Sequence, residues 1–154
     1  MLSFAPVLER LQSQCSLFTD IGFAVDQAEA IEDTKRMPAL YLLSATLRAT
    51  TQKASSGIHI QLVTETFDLV YFLNVTGAIK GTAARAKKQE EAKQQYTAQV
   101  WSAIVGFTWS PYIAPISVVS GQLVLLDSTR MIFSERFETS SEYRVERSHL
   151  YPSP

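Results

Sequence analysis

The residue types that most often carry catalysis or bind metals are scarce in this chain. Only two histidines occur, His59 and His149, so a site built from several histidines is excluded. The single cysteine, Cys15, excludes an intramolecular disulfide, and its place on an apolar helical face predicts a buried thiol. The spacings typical of serine hydrolases, zinc proteases, zinc ribbons and EF-hands are absent. We therefore expect no catalytic residues, no metal and no cofactor, and interpret both histidines as surface residues.

Two other arrangements resemble chemical sites without meeting their requirements. Residues Gly77 to Gly81 lie between a predicted strand and a predicted helix, where a phosphate-binding loop would lie. Such a loop needs four residues between its glycines, whereas this segment has three, so it is interpreted as a turn and a helix cap. Glu65 and Asp68 fall on opposite faces of a regular strand, and we expect no acid/base pair unless a bulge rotates one of them.

The overall composition bounds the class of protein. The chain has 154 residues, with 14 Lys and Arg against 15 Asp and Glu, and a formal net charge of −1. This balance gives no general attraction to nucleic acid or to anionic membranes. No apolar run approaches about 18 residues and the N-terminus lacks a basic segment, so neither export nor membrane insertion is expected. The length predicts one domain, assigned to residues 1–146, with residues 147–154 as a flexible tail.

The longest strand-like run, Ile58 to Val75, is the element around which the others are placed. Apolar side chains occupy even positions up to Leu62 and odd positions from Phe67 onward. A slip of one residue turns every side chain to the other face, so this change of phase predicts a bulge or bend within residues 63–66. Over residues 69–73 both faces are apolar, which predicts a central strand covered on two sides.

The other elements are expected before and after this strand. Residues 3–15 have the apolar spacing of an amphipathic helix, and Thr82 to about Val105 form a long helix ended by Gly106. A short strand begins at Pro38, and the polar stretch Thr46 to Gly57 is interpreted as a loop, either a mobile arm or a binding element. The remaining expected elements are a short strand or connection over 16–25, a two-turn helix over 26–32, and a hairpin with arms 123–126 and 131–145.

The second arm of that hairpin has apolar residues at odd positions and a polar ladder at even ones. This alternation predicts a long strand with one solvated face, near a sheet edge. Its aromatic residues share their face with Leu, Met and Val rather than with cations, so they are interpreted as core and not as a platform for single-stranded nucleic acid. The predicted fold class is α+β: a mixed, mostly antiparallel twisted sheet with an N-terminal helix and one long helix packed on it.

The first half of the long helix is polar on nearly every side. Two interpretations stay open for it. One is a solvated surface held by pairs such as Lys87 with Glu91, and the other is a contact surface for a partner.

The order of elements, with four sequence pieces, resembles a known family. The pieces are Pro38 to Leu43, Thr64 to Val75, Ala103 to Trp109 and Phe133 to Arg144. Together they look like the tail terminator, or tail completion, proteins of long-tailed bacteriophages, over roughly residues 2–146. The chain departs from the family at Ser120-Gly121, where a glycine pair is frequent, and in the high lysine content of its long helix.

The resemblance implies a structural protein and no enzyme. Such proteins assemble as a hexameric ring on the head-proximal end of a finished tail tube, where they stop the addition of tube subunits and offer a surface to the head. The implied partners are further copies of the chain, the major tail tube protein and the head-tail connector, with non-specific passage of DNA through the lumen. The implied location is the neck region of the virion, after assembly in the cytoplasm of the host bacterium.

Three groups of residues are candidates for the contacts that the resemblance implies. The polar stretch would contact the tube or a neighbouring subunit, the basic half-helix would line the lumen, and the long polar strand would form a subunit edge. The residues of the first group are Arg48, Thr51, Lys53 and Ser55, those of the second are Arg85, Lys87, Lys88 and Lys93, and those of the third are Arg136, Glu138, Glu142 and Arg144.

Other classes of protein fit the same sequence. Another neck or head-completion protein of a phage would bind the connector and not the tube end. A small ligand-binding or enzymatic α+β domain would need a deep pocket with convergent polar groups. No motif in the sequence excludes a regulatory protein directed at the host.

Overall fold

The computed structural model of the chain describes residues 2–25, 37–55, 58–74, 82–126 and 130–146. The expected helix over 26–32, the loop Gly77 to Gly81 and the tail over 147–154 lie outside these ranges. The helices and strands of the described ranges are, in chain order, α1 (Ala5–Gln14), β1 (Asp20–Phe23), β2 (Ala39–Ser55), β3 (Ile58–Asn74), α2 (Thr82–Ile104), β4 (Ser117–Leu126) and β5 (Arg130–Glu146).

The five strands form one sheet in the order β1-β2-β3-β5-β4. β1 runs parallel to β2, and the other three pairs of neighbours are antiparallel. The fold is therefore α+β with a mixed, mostly antiparallel sheet, as the periodicity predicted.

Both helices lie on one face of the sheet, called the helix face below. α1 buries Val7 and Leu11, while α2 buries Val100 and Ile104 against the sheet, because these residues recur at the spacing of one helical stripe. α2 ends where predicted, and Gly106 adopts a positive φ of 82° that favours glycine at a helix end. The predicted helices of residues 3–15 and 82–105 are thus confirmed.

Arg10 of α1 contacts the C-terminal end of α2. Arg10 donates from its Nε to the carbonyl oxygen of Ala103, at 2.5 Å, and its guanidinium lies 4.3 Å from the centroid of the Phe107 ring. The contact satisfies a carbonyl that the end of α2 would otherwise leave unpaired.

The centre of β3 is buried on both faces. Phe67, Leu69, Tyr71 and Leu73 pack under the helices. On the opposite face, called the second face below, Val70 and Phe72 belong to another buried cluster. The prediction of a central strand covered on two sides is confirmed, and it explains why apolar residues follow one another without alternation.

The predicted loop over residues 46–57 is wrong. β2 continues to Ser55 and pairs with β3 as far as the partners Ser55 and Ile58. Its threonines are β-branched and suit a strand, whereas β1 covers β2 only as far as Leu42. The polar composition reflects an outer strand with little packed on it.

The predicted bulge in β3 over residues 63–66 is also misplaced. β3 pairs with β5 without interruption from Ile58 and Glu146 to Asn74 and Arg130. The irregularities lie in the facing strand β2, between Ser44 and Leu47 and between Ala49 and Thr51. The change of phase in β3 therefore marks a regular strand whose apolar side chains lie on opposite faces at its two ends.

These pairings produce a three-stranded extension, called the arm, made of residues 47–55, 58–65 and 139–146. None of the described side chains over 47–49 and 58–64 belongs to either buried cluster or packs on one. At about 3.3 Å per residue, the nine residues over 47–55 give the arm a length of about 30 Å.

The strand predicted over 131–145 near a sheet edge is β5, which lies one strand inside the edge for most of its length, so the candidates Arg136 and Glu138 are not on the edge strand itself. β5 lies between β3 and β4, and β4 pairs with its residues 131–138. A backbone bridge between Ile113 and Ser141 covers the next part. The outer strand on this side is β4, where Ser120, Gly121 and Gln122 interrupt the apolar residues and weaken the strand pattern.

We expect Phe67→Ala to lower the free energy of unfolding by about 3–5 kcal/mol, because Phe67 is fully buried and stacks on Phe137 at 5.4 Å between ring centroids. Urea unfolding followed by circular dichroism measures the change. Tyr143→Ala is the matched control, since this ring on the arm is 61% exposed and its loss should change stability by about 0.5 kcal/mol or less. Equal losses in the two variants would contradict the assignment of the core.

Candidate functional site

The two carboxylates closest in sequence to the expected bulge have separate structural partners. Glu65 is buried on the helix face and accepts from the backbone amide of Leu2, at 2.9 and 3.2 Å. Asp68 lies on the second face, where Arg136 donates to both of its oxygens, at 2.8 and 3.0 Å. They do not converge, so neither is placed to act with the other as acid and base.

The described ranges offer neither a cluster of metal ligands nor a reactive thiol. No group of three or more His, Cys, Asp and Glu side chains in them could hold a metal ion. Burial raises the pKa of the Cys15 thiol to about 11, which keeps it protonated and unreactive at neutral pH. The prediction of a buried cysteine is confirmed.

The four candidates on the polar strand over 131–145 have different partners. Arg136 is held by Asp68 on the neighbouring strand, and this contact raises the pKa of the guanidinium. Arg144 donates to Glu142 at 2.6 Å within the arm. Glu138 differs from them, because it is partly exposed and has no ion pair with any described residue.

The candidates of the polar stretch lie along one strand of the arm. Arg48 is exposed and pairs in register with Thr64, while Thr51, Lys53 and Ser55 pair with Leu62, Ile60 and Ile58. They share a strand rather than a loop, so their relative spacing is set by the sheet.

The candidates of the basic half-helix do not share one environment. Lys87 and Lys88 are exposed, and Lys87 lies 4.0 Å from Glu91 in a solvated pair that contributes little stability. Lys93 lies toward the sheet, with its Nζ 6.0 Å from the centroid of the Phe133 ring. Arg85 belongs to the first turn of α2.

A groove that the sequence did not predict separates α2 from the outer strands on the helix face. Its volume is about 450 Å³. Trp101 of α2 and Leu123 of β4 form its rims and are 43% and 57% exposed, which is high for large apolar residues. Its lining residues are Lys93, Thr97, Trp101, Gly121, Gln122, Leu123, Met131, Phe133 and Glu135.

A buried carboxylate lies in the wall of this groove. Glu135 accepts hydrogen bonds from the Tyr71 hydroxyl at 2.5 Å and from Trp101 Nε1 at 3.0 Å. Burial raises the pKa of Glu135, while the two hydrogen bonds and Lys93 partly oppose that rise. The sequence contains one sign of this buried site. Glu135 is a lone carboxylate at an odd, otherwise apolar position between Phe133 and Phe137, which indicates a buried polar partner.

The outer strand β4 contains no charged residue. Val119, Leu123 and Leu126 on it are each close to half exposed. An outer strand that is apolar and uncharged is prone to pair with another chain. β4 and the groove beside it therefore have the composition that is typical of a contact surface.

Comparison with known proteins identifies one family. A family model described as phage tail terminator protein matches residues 1–147 of the chain. No curated protein matches it. Within the described ranges, no helix is long and apolar enough to cross a membrane.

We expect Glu135→Gln to reduce the dependence of stability on pH. Because the pKa of Glu135 is raised above its ordinary value of 4.5, its contribution to the free energy of unfolding is complete below about pH 4.5 and is lost as pH rises through the raised pKa. The loss amounts to about 1.4 kcal/mol per unit of pKa difference, and glutamine cannot ionise. Urea unfolding at several pH values measures it.

Glu90→Gln, at an exposed position on α2, is the control for this experiment. It should follow the pH profile of the unmodified chain. If Glu135→Gln followed it too, Glu135 would not titrate with a raised pKa.

Proposed function

Because the chain belongs to the phage tail terminator family, we propose that it caps the head-proximal end of the tail tube as a hexameric ring. The ring stops the addition of tube subunits and presents a surface to the head-tail connector. The observation that carries this proposal is the family match over residues 1–147. The protein is a structural component of a phage tail; its place in the neck of the virion and its assembly in the host cytoplasm follow from the proposed role.

A cap of this kind needs surfaces rather than an active site. A closed ring requires a heterologous contact, in which two different surfaces of each copy meet, and two unlike ring faces for tube and connector. The described structure has large surfaces of this kind, namely the arm and the uncharged strand β4. These features support a role in assembly.

The arm is the proposed contact with the tube or with a neighbouring subunit, through Arg48, Thr51, Lys53 and Ser55. Within the arm, residues 47–49 and 142–144 are exposed and residues 58–64 are partly exposed, which makes them accessible to a partner. Arg48 and Lys53 are the two charged residues of this stretch, and both are cations. Acidic groups on the partner would complement them.

The basic half of α2 is the proposed lining of the ring lumen, through Arg85, Lys87, Lys88 and Lys93. Cations there would make non-specific contacts to phosphates as DNA passes. Lys87, Lys88 and Lys93 are all exposed, which supports this role, and Lys93 also lines the groove.

The direct test is to mix the purified protein with tail tubes of its own phage and to image them by negative-stain electron microscopy. We expect a ring at one end of each tube and an arrest of tube growth. Binding to isolated connectors with bare tube ends would instead indicate another head-completion protein. Binding to neither would remove the proposal.

We expect the double variant Arg48→Glu/Lys53→Glu to cap tubes at least about tenfold less often than the unmodified protein, because reversed charges oppose the complementary surface. The count of capped tube ends measures this effect, and circular dichroism checks that the monomer stays folded. Lys87→Glu/Lys88→Glu is the control, since it changes the charge equally at a different surface. Normal capping by the arm variant would exclude these residues from the contact.

We expect the same Lys87→Glu/Lys88→Glu variant to form tails with normal caps but to deliver DNA less efficiently. Reversed charges in the lumen would repel phosphates. Infectious yield compared with the number of complete particles measures delivery. A yield per particle equal to that of the unmodified phage would place these lysines outside the lumen.

A further inference from the structure

A row of side-chain hydrogen bonds crosses the sheet where the arm joins the part that the helices cover. Three consecutive residues of β3 take part, and each holds a different element. Thr64 bonds the Ser140 hydroxyl of β5 at 3.0 Å, and Glu65 accepts from the backbone amide of Leu2, which precedes α1. The third residue, Thr66, holds β2.

The contact of Thr66 with β2 lies at a bulge. β2 has one extra residue relative to β3 between Ser44 and Leu47, close to Leu42, where the pairing with β1 ends. Within this bulge the Thr46 amide donates to Thr66 Oγ1 at 3.0 Å, and the two hydroxyl oxygens lie 2.6 Å apart. A bulge bends its strand and leaves a backbone group without its ladder partner. The Thr66 side chain binds that group and so fixes the bend.

The same level of the sheet is held from the side of β4. Thr139, which pairs in register with Glu65, is buried and donates to the carbonyl oxygen of Ala114 at 2.6 Å. The Ala114 amide in turn donates to the carbonyl oxygen of Ser140 at 2.7 Å. The five residues of β3 and β5 whose side chains make these bonds are called the polar belt: Thr64, Glu65, Thr66, Thr139 and Ser140.

The polar belt begins where the buried core ends. Phe67 belongs to the core, whereas the described side chains over 58–64 pack on neither buried cluster. The ladder of β3 and β5 fixes which residues pair, but the twist between neighbouring strands varies between about 10 and 35° among sheets. Hydrogen bonds depend on angle as well as distance, whereas apolar burial is not directional. The belt therefore supplies an orientation that the core does not supply at this level.

We propose that the polar belt sets the direction of the arm relative to the helices, with Thr66 as the positioning residue for β2. The inference rests on the proposed function, in which the arm contacts the tube or a neighbouring subunit. A fixed direction presents Arg48 and the rest of the arm to that partner with little ordering on binding, which favours affinity. Thr66 acts through the bend of β2 and does not need to touch the partner.

Distances between spin labels test the direction of the arm. Ala98→Cys on α2 and Tyr143→Cys on the arm place the labels at two exposed positions, while the thiol of Cys15 is buried and stays unlabelled. Double electron-electron resonance gives the distribution of distances between the labels. We expect one narrow distribution in this labelled parent and a broader or displaced one after Thr66→Val. Thr66→Ser should give the parent distribution, because serine keeps the hydroxyl that accepts from Thr46.

The count of capped tube ends measures whether this direction serves the function. We expect Thr66→Val to reduce capping about tenfold, because an arm that must be ordered on binding loses affinity, and Thr66→Ser to restore it. Thr19→Val makes the same change at an exposed position before β1, outside the belt and the arm, and should cap normally. Urea unfolding of each variant should give a midpoint close to that of the unmodified chain.

Three other outcomes overturn the inference. An unchanged distance distribution in Thr66→Val would show that the ladder alone directs the arm. A broadened distribution with normal capping would show that the direction is not used, and would leave the proposed function standing. A urea midpoint lowered as far as in Phe67→Ala would assign Thr66 to the stability of the core. If the unmodified protein made no caps while the distances changed as expected, the proposed function would fail and the effect of the belt on the arm would stand.

Discussion

One uninterrupted ladder of hydrogen bonds between β3 and β5 supports the rest of the structure. It runs from Ile58 and Glu146 to Asn74 and Arg130 without a register shift. At one end its side chains are buried on both faces, and at the other end they form the arm. Because the two ends share the same strands, the arm is held in place by the core, whereas an isolated ribbon of this size would be marginally stable in water.

Because the core and the exposed arm share the same strands, the arm keeps a fixed position during assembly. The proposed ring would require contact surfaces that are accessible before assembly and keep their spacing afterwards. Packing of Phe67 and Tyr71 under the helices stabilises the part of the ladder that faces no partner. The exposed part can then carry apolar and charged side chains for a partner, and its strands need little ordering on binding, which favours affinity.

Polar side chains also differ between the buried and the exposed parts of the structure. In the described ranges, no buried side-chain nitrogen or oxygen lacks a hydrogen-bond partner, and Glu65 and Glu135 are held by partners from other elements. Arg48 and Glu138 are instead exposed or partly exposed and lack an ion pair within the described chain. Charges that stabilise the monomer are thus already paired, and those that remain are available for a partner.

The sequence by itself determined both helices, the two long strands β3 and β5, and the buried stripe of each helix, because these depend on local spacing. It also named Arg48 and Glu138, but it assigned residues 46–57 to a loop and did not identify β4 as the outer strand beside β5. Only the tertiary structure decided which strand is outermost, since a polar outer strand has the composition of a loop until its neighbours are known. Only the tertiary structure shows the groove as well, because the partners of Glu135 lie 64 and 34 residues away in the sequence, beyond the reach of any local pattern.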